Sequence, residues 1–258
     1  MITLAIANQK GGVGKTTTAV NLAAALARSY KRVLLVDMDP QGNATTASSL
    51  DKNSLETGTL EVLMNEVQIE EATQKSESGR YDILPANGEL TSAEVELINE
   101  LMREQRLKHA LLRVQDDYDF AIIDCPPSLN MLTLNALVAA DGVIIPVQTE
   151  FFALEGLSAL VKTIKKVGSV ANPRLHIEGI VMTMYDSRTT LTSDVGKQLV
   201  QYFGDRVYKT AIPRNVRLAE APSHGLAIFD YDKDSKGSIA YMGLAAEVTR
   251  RLKQTAKK

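Results

Sequence analysis

The sequence predicts an α/β fold: a mostly parallel, twisted sheet with helices on both faces. Three observations carry that prediction. Short apolar runs of strand length alternate with helical patterns along all 258 residues. Two of those runs, Val33-Leu34-Leu35-Val36-Asp37 and Phe120-Ala121-Ile122-Ile123-Asp124, are apolar without alternation and end on an acid. Strands buried on both faces of a parallel sheet read this way. The first run, residues 2–7, feeds Lys10-Gly11-Gly12-Val13-Gly14-Lys15-Thr16-Thr17, a glycine-rich loop that opens a helix.

The elements follow in order. The first helix opens at Gly14 or Lys15 and runs to about Ser29. Its Ala19, Val20, Ala23, Ala24 and Ala27 make a small-residue face suited to close approach to a sheet. After the Val33 strand, a stretch rich in Gly, Asn, Thr and Ser reads as a mobile loop to about Asn53. Residues 60–64 read as a short helix and 81–84 as a weak strand. Residues 51–79 are the most polar stretch and read as surface structure. Residues 94–112 have the spacing of one amphipathic helix, with Val95, Leu97, Ile98, Leu101, Leu107 and Leu111 turned partly inward. Then come the Phe120 strand, a helix near 132–139, a strand at 143–145 and a helix at about 154–170. A strand at 177–182, a helix near 191–203, a short strand at 208–212 and a helix from about Ile239 close the chain. No repeat, low-complexity tract or linker divides it, so one domain is expected over residues 1–258. With a strand starting at residue 2, no DNA-reading domain is expected ahead of the loop.

Composition narrows the function. A net charge of −2 excludes a globally basic nucleic-acid binder, so any DNA contact must be a local patch. Residues 249–258 carry Arg250, Arg251, Lys253, Lys257 and Lys258 without an acid. The plain alternative is a frayed helix end whose cations suit the helix dipole. The single cysteine, Cys125, excludes a disulfide framework within the chain, fits a reducing cytoplasm and reads as a small buried residue. No run approaches the roughly 20 apolar residues of a membrane span, and no secretory leader is visible. His109, His176 and His224 lack the spacing of a metal site.

The loop carries the chemistry. Its glycines let backbone N–H groups turn inward around a phosphate chain, Lys15 reaches the outer phosphates, and the Thr16 hydroxyl suits Mg²⁺. The helix points its positive end at the same anion. The common form G-x-x-x-x-G-K-[ST] has a glycine where Gln9 stands, and Lys10 follows it. Two lysines therefore share one loop. The second could stabilise charge developing at a γ-phosphate, or could simply be a solvated loop residue. Asp124, ending an apolar strand, would be a costly unpaired charge, a cost that Mg²⁺ removes.

Together with Ile212-Pro213-Arg214-Asn215-Val216-Arg217-Leu218 and Glu220-Ala221-Pro222-Ser223-His224-Gly225, these segments resemble the ParA-type (Soj-like) partitioning ATPases of the deviant-P-loop ParA/MinD family, over nearly the whole chain. The resemblance implies ATP and Mg²⁺ as cofactors and slow hydrolysis. It places Asp39 at the attacking water, with a turn before Pro40 as the bland alternative, and gives Thr16, Asp124 and Asp37 the metal shell. It puts adenine between Met182, Thr183 and the loop Pro213-Arg214-Asn215; the guanine-reading N-K-x-D pattern is absent. It sends Lys10 across a two-fold axis to a partner subunit's nucleotide, with Gly12 at the closest approach, so that ATP joins a homodimer. It implies non-specific binding of double-stranded DNA through Arg188 and Arg217, with Lys233, Lys236, Arg250 and Lys253 behind them. For Arg217 a surface ion pair with Glu220 is the alternative. A ParB-type partner would stimulate hydrolysis and release, moving chromosomes or plasmids in a cytoplasmic, nucleoid-associated cycle without a membrane. A MinD-type membrane-cycling regulator is the runner-up; the tail offers Leu244, Val248 and Leu252 but ends Thr255-Ala256-Lys257-Lys258, without an aromatic. A nucleotide-gated adaptor with little turnover is a third reading. A redox protein like the nitrogenase iron protein would need two thiolates per subunit, and this chain has one cysteine.

Overall fold

Seven strands form one sheet: β1 (Ile2–Ile6), β2 (Val33–Asp37), β3 (Gln74–Ser76), β4 (Tyr81–Leu84), β5 (Phe120–Asp124), β6 (Gly142–Gln148) and β7 (His176–Thr183). The computed structural model describes residues 1–150 and 153–255. The strand order is β3-β4-β2-β5-β1-β6-β7. Every pairing is parallel except that of β3 with β4. The helices are α1 (Lys15–Arg28), α2 (Asn43–Ala47), α3 (Thr59–Met64), α4 (Ile69–Ala72), α5 (Ala93–Glu96), α6 (Arg106–Arg113), α7 (Met131–Ala139), α8 (Ala153–Val170), α9 (Thr190–Phe203), α10 (Val216–Glu220), α11 (Ile228–Tyr231) and α12 (Lys236–Thr255).

The uninterrupted apolar runs become central strands because both faces are covered. Successive strand residues point to opposite faces. Leu34, Val36, Ala121 and Ile123 enter one apolar cluster with Leu107 of α6 and Leu132 and Ala136 of α7. Leu35, Ile122, Leu4 and Ile6 enter the other with Ala19, Ala23 and Leu26 of α1 and Leu244 and Val248 of α12. The connections leaving β1 and β5 thus pass to opposite faces, which opens a crevice at the carboxyl ends of these two strands. No helix among the described residues is long and apolar enough to cross a membrane.

Four local expectations are corrected. Residues 94–112 are not one helix. Two short helices and 3₁₀ turns at Leu97–Asn99 and Arg103–Gln105 replace it. Met102 breaks it, at φ 54° in the left-handed region. Leu97, Leu107 and Leu111 are buried, but Val95, Ile98 and Leu101 face solvent, Leu101 at 86% exposure. The stretch after Asp37 is no mobile loop: α2 forms there with Ala44, Thr45 and Ala47 buried. The polar stretch 51–79 holds the edge strand β3, which the sequence did not suggest. Residues 208–212 form no strand. That segment runs beside β7, with Tyr208 N–H donating to the Ile180 carbonyl at 2.9 Å and Ile212 N–H to the Met182 carbonyl at 2.8 Å.

Candidate functional site

The crevice collects acids and backbone donors from three strand ends. Asp37 and Asp124 end β2 and β5 and are register partners; Ile6 pairs with Asp124 on its other side. The loop after β1 is pinned by Asn8, whose amide Nδ2 donates to the Pro146 carbonyl at 2.7 Å while its Oδ1 accepts from Lys10 N–H at 3.0 Å. Gly12 and Gly14 sit at φ 73° and 86°, where L side chains are strained. Thr183 Oγ1 donates to the Val13 carbonyl at 2.8 Å, fixing the loop against β7. Gly11 is exposed, and Thr16 and Thr17 are half-buried at the start of α1. The result is a preformed cradle at a helix N-terminus, the arrangement that binds phosphate.

The two lysines take different places. Lys15 is buried and its Nζ donates to the Lys10 carbonyl at 3.2 Å. Burial lowers its pKa, against the attraction of Asp124 and Asp39. Lys10 points outward and pairs with Glu150 at 2.5 Å, its side chain 43% exposed.

The three acids also differ. Asp124 is fully buried, and neither carboxylate oxygen has a hydrogen-bond partner among the described residues. Burial and then the neighbouring Asp37 charge push its pKa well above the usual carboxylate range, while Thr16 and Lys15 pull the other way. Asp37 is equally buried but engaged: Oδ1 accepts from Asp39 N–H at 3.1 Å, and Oδ2 accepts from Thr45 N–H at 2.9 Å and Thr45 Oγ1 at 2.8 Å. It organises the turn into α2. Asp39 Oδ1 accepts from Gln41 N–H at 3.0 Å, so the turn before Pro40 exists, and Oδ2 carries no such bond among the described residues. Cys125 is buried beside them, and burial raises its thiol pKa. Among the described residues no three His, Cys, Asp or Glu side chains form a cage. An orphaned carboxylate beside a threonine hydroxyl and a phosphate cradle instead fits Mg²⁺, which takes one or two protein oxygens and completes its shell from phosphate and water.

Next to the cradle lies a cleft of about 310 Å³, lined by Gly14, Thr17, Thr183, Met184, Ile212, Pro213, Arg214, Asn215, Val216, Leu218, Ala219 and Tyr241. The expected loop Pro213-Arg214-Asn215 is there. Met182 is not: its sulfur packs toward Gly196 on the opposite side of β7. Thr183 lines the cleft as expected, and Met184 stands where Met182 was expected. Tyr241 of α12 was not foreseen; its hydroxyl shares a 3.2 Å hydrogen bond with Thr18 of α1. A tyrosine on the apolar face of a helix, needing one buried polar partner, was the available signal.

The six basic residues do not form one patch. Arg188 follows β7, Arg217 lies in α10, and Lys233 and Lys236 flank the start of α12, which packs on Leu218 through Gly237. Arg250 and Lys253 lie near the other end of α12, with Lys253 roughly 26 Å along the helix from Lys236. There Lys253 lines one surface cleft with Met1, Ile2, Lys31 and Arg32, at the amino ends of the strands. Lys257 and Lys258 lie outside the described residues.

Comparisons with known proteins agree with this geometry. A family model described as an AAA domain matches residues 1–177. The sporulation initiation inhibitor protein Soj of Bacillus subtilis is 51% identical over 95% of this chain and 97% of its own. The chromosome partitioning protein ParA of Caulobacter vibrioides is 50% identical over 96% and 94%. A solved structure described as cobyrinic acid a,c-diamide synthase from Mycobacterium smegmatis, with bound ATP analogue and magnesium, is 40% identical, superposes with a TM-score of 0.87, and is covered over 98% of this chain and 96% of its own. With its two-lysine P-loop at the carboxyl end of β1 and near-full-length relatives of that name, the chain belongs to the ParA/Soj family of P-loop ATPases.

Proposed function

We propose that this chain, as one ATPase unit over residues 1–258, is an ATP-dependent DNA-partitioning protein. The observation that carries the reading is the division of labour between the loop lysines. Lys15 lies inside the cradle, where it serves the nucleotide of its own subunit. Lys10 points out of it, free to exchange Glu150 for an anion arriving from outside. Two such chains face to face would each offer that anion, the γ-phosphate, to the other's Lys10.

The residues divide the work. The backbone of Lys10 to Thr17 binds the phosphate chain, and the cleft of Thr183, Met184 and Pro213-Arg214-Asn215 takes adenine. Thr16 and Asp124 hold Mg²⁺, which when bound neutralises charge on the phosphate oxygens. Asp37 keeps the following turn in place beside that shell. Asp39, through its open Oδ2, accepts a proton-bearing hydrogen bond from water and aligns it with the γ-phosphate. Lys15 in cis and Lys10 in trans offset the charge that spreads over the transferred group. Hydrolysis removes the shared phosphate and with it the reason to stay paired.

The partition reading follows the names of the relatives at 50–51% identity; the Mycobacterium smegmatis protein, at 40%, bears another activity in its name. DNA binding through Arg188 and Arg217 and stimulation by a ParB-type partner belong to the same proposal, as does nucleoid association. The membrane-cycling alternative has less support, because Leu244 and Val248 are buried against α1 rather than presented outward. The test measures affinity for random-sequence duplex DNA with ATP, ADP and no nucleotide over a salt series, and phosphate release with DNA and a ParB-type protein. The reading expects tight, salt-sensitive binding with ATP alone and partner-stimulated release. Equal affinity in all nucleotide states would overturn it.

A further inference from the structure

The six basic candidates differ in one respect. Lys233, Lys236, Arg250 and Lys253 have no ion-pair partner among the described residues, whereas Arg188 and Arg217 each hold a carboxylate. Arg188 grips Asp186 with two parallel bonds, Nε to Oδ1 at 2.9 Å and a terminal nitrogen to Oδ2 at 2.7 Å. Its own backbone N–H also donates to Oδ1 at 3.1 Å, so Asp186 is fastened by the turn as well as by the side chain. Arg217 donates to Glu220 Oε2 at 2.9 Å and lies 3.5 Å from Asp232. The Tyr231 hydroxyl donates to the same Glu220 oxygen at 3.0 Å, and the Tyr231 ring stacks on His224 at 5.1 Å. These are carboxylates held in place by third groups.

The arginines share a neighbourhood. Arg188 lies in the loop after β7, Arg217 in the helix that follows the cleft loop, and Arg214 N–H donates to the Tyr185 carbonyl at 3.3 Å between the two. Resting on the DNA reading above, we propose that Asp186 and Glu220 are built-in counter-ions that restrain the grip of Arg188 and Arg217 on a nucleic-acid phosphate. A carboxylate at contact distance cancels most of an arginine's field beyond a few ångströms, and an incoming phosphate must share or displace it. Both carboxyls are held below their usual range, Asp186 to about 2 by the Arg188 side chain and backbone, and Glu220 by Arg217 and Tyr231. They therefore stay charged at neutral pH. Such a brake suits a protein that must release DNA as readily as it binds.

The test is affinity of the full chain with ATP and Mg²⁺ for random-sequence duplex, by fluorescence anisotropy over a salt series. Asp186→Asn keeps an oxygen for the turn while removing the charge, and Glu220→Gln does the same at the second arginine. Each is expected to bind more tightly, by up to about eightfold at 0.1 M salt, and to steepen the salt slope by up to about 0.9, the contribution of one phosphate contact freed of its competing carboxylate. Arg188→Ala and Arg217→Ala are expected to weaken binding. If the alanine variants weaken it while Asp186→Asn and Glu220→Gln leave affinity and slope unchanged, or lower them, the counter-ion role is overturned and the DNA reading stands. If the alanine variants change nothing, the DNA reading itself fails at these residues.

Discussion

At the scale of single residues, Asp124 is a fully buried carboxyl with neither oxygen hydrogen-bonded among the described residues. Burial and the neighbouring Asp37 charge disfavour its ionised form, more than Thr16 and Lys15 favour it, so the metal-free protein holds a destabilised carboxyl there. Asp124→Asn should therefore raise the melting temperature of metal-free protein, by several degrees for about 2 kcal/mol recovered. The same variant should lose the further stabilisation that Mg²⁺ with ATP gives the wild type, as thermal melts with and without both would show. Gly12 makes a second residue-scale prediction. A Cβ there meets nothing within 4 Å in its own chain, so added bulk projects into open space. Gly12→Val should retain ATP binding, at about 1–2 kcal/mol of backbone strain from the positive φ, and lose ATP-dependent pairing. Equilibrium dialysis with ATP beside light scattering separates the two effects. The loop chemistry was legible in the sequence because spacing alone places Lys15, Thr16 and the glycines. The contrast between Asp124 and Asp37 was not, since the donors that occupy Asp37 come from Thr45, in a stretch that reads as a loop.

At the scale of elements, burial decides what could be read. β2 and β5 are apolar on both faces and begin and end where expected. Residues 94–112 misled because helical spacing cannot say whether Leu101 turns toward the core, and one left-handed residue at Met102 separates its two halves. α2 was hidden because Asn, Thr and Ser are poor helix formers; the buried Asp37 carboxylate receives Thr45 and supplies what propensity lacks. The segment beside β7 reads as a strand and instead is tied to α12. There Glu247 accepts from Lys209 N–H at 3.0 Å, Thr210 N–H at 3.0 Å and Thr210 Oγ1 at 2.9 Å, and pairs with Arg251 at 2.7 Å. Burial alone would raise its pKa, but these donors outweigh burial and lower it. A depressed carboxyl contributes stability that is present above its unfolded pKa and lost as pH falls through its folded value. The stability advantage of wild type over Glu247→Gln should be full at pH 6 and shrink below about pH 4.5, measured by urea unfolding at several pH values.

At the scale of the whole molecule, the sheet gathers the cradle, the acids and the cleft proposed for adenine at the carboxyl ends of its strands and leaves Lys10 at the rim, facing away. The basic residues divide between that end, where Arg188 and Arg217 stand, and the amino ends, where Lys253 and Met1 line one cleft. That division was invisible in the sequence, because only the length of α12 separates Lys236 from Lys253 in space. The same rim explains why a single chain is an incomplete enzyme in this account: one of the two lysines that serve each γ-phosphate must come from another copy. Sedimentation of wild type and Lys10→Ala with Mg²⁺ and ATP tests this most directly. Wild type should sediment as a dimer with ATP and as a monomer with ADP, and Lys10→Ala should bind ATP yet remain a monomer. Dimerisation of Lys10→Ala at wild-type concentrations would contradict the account.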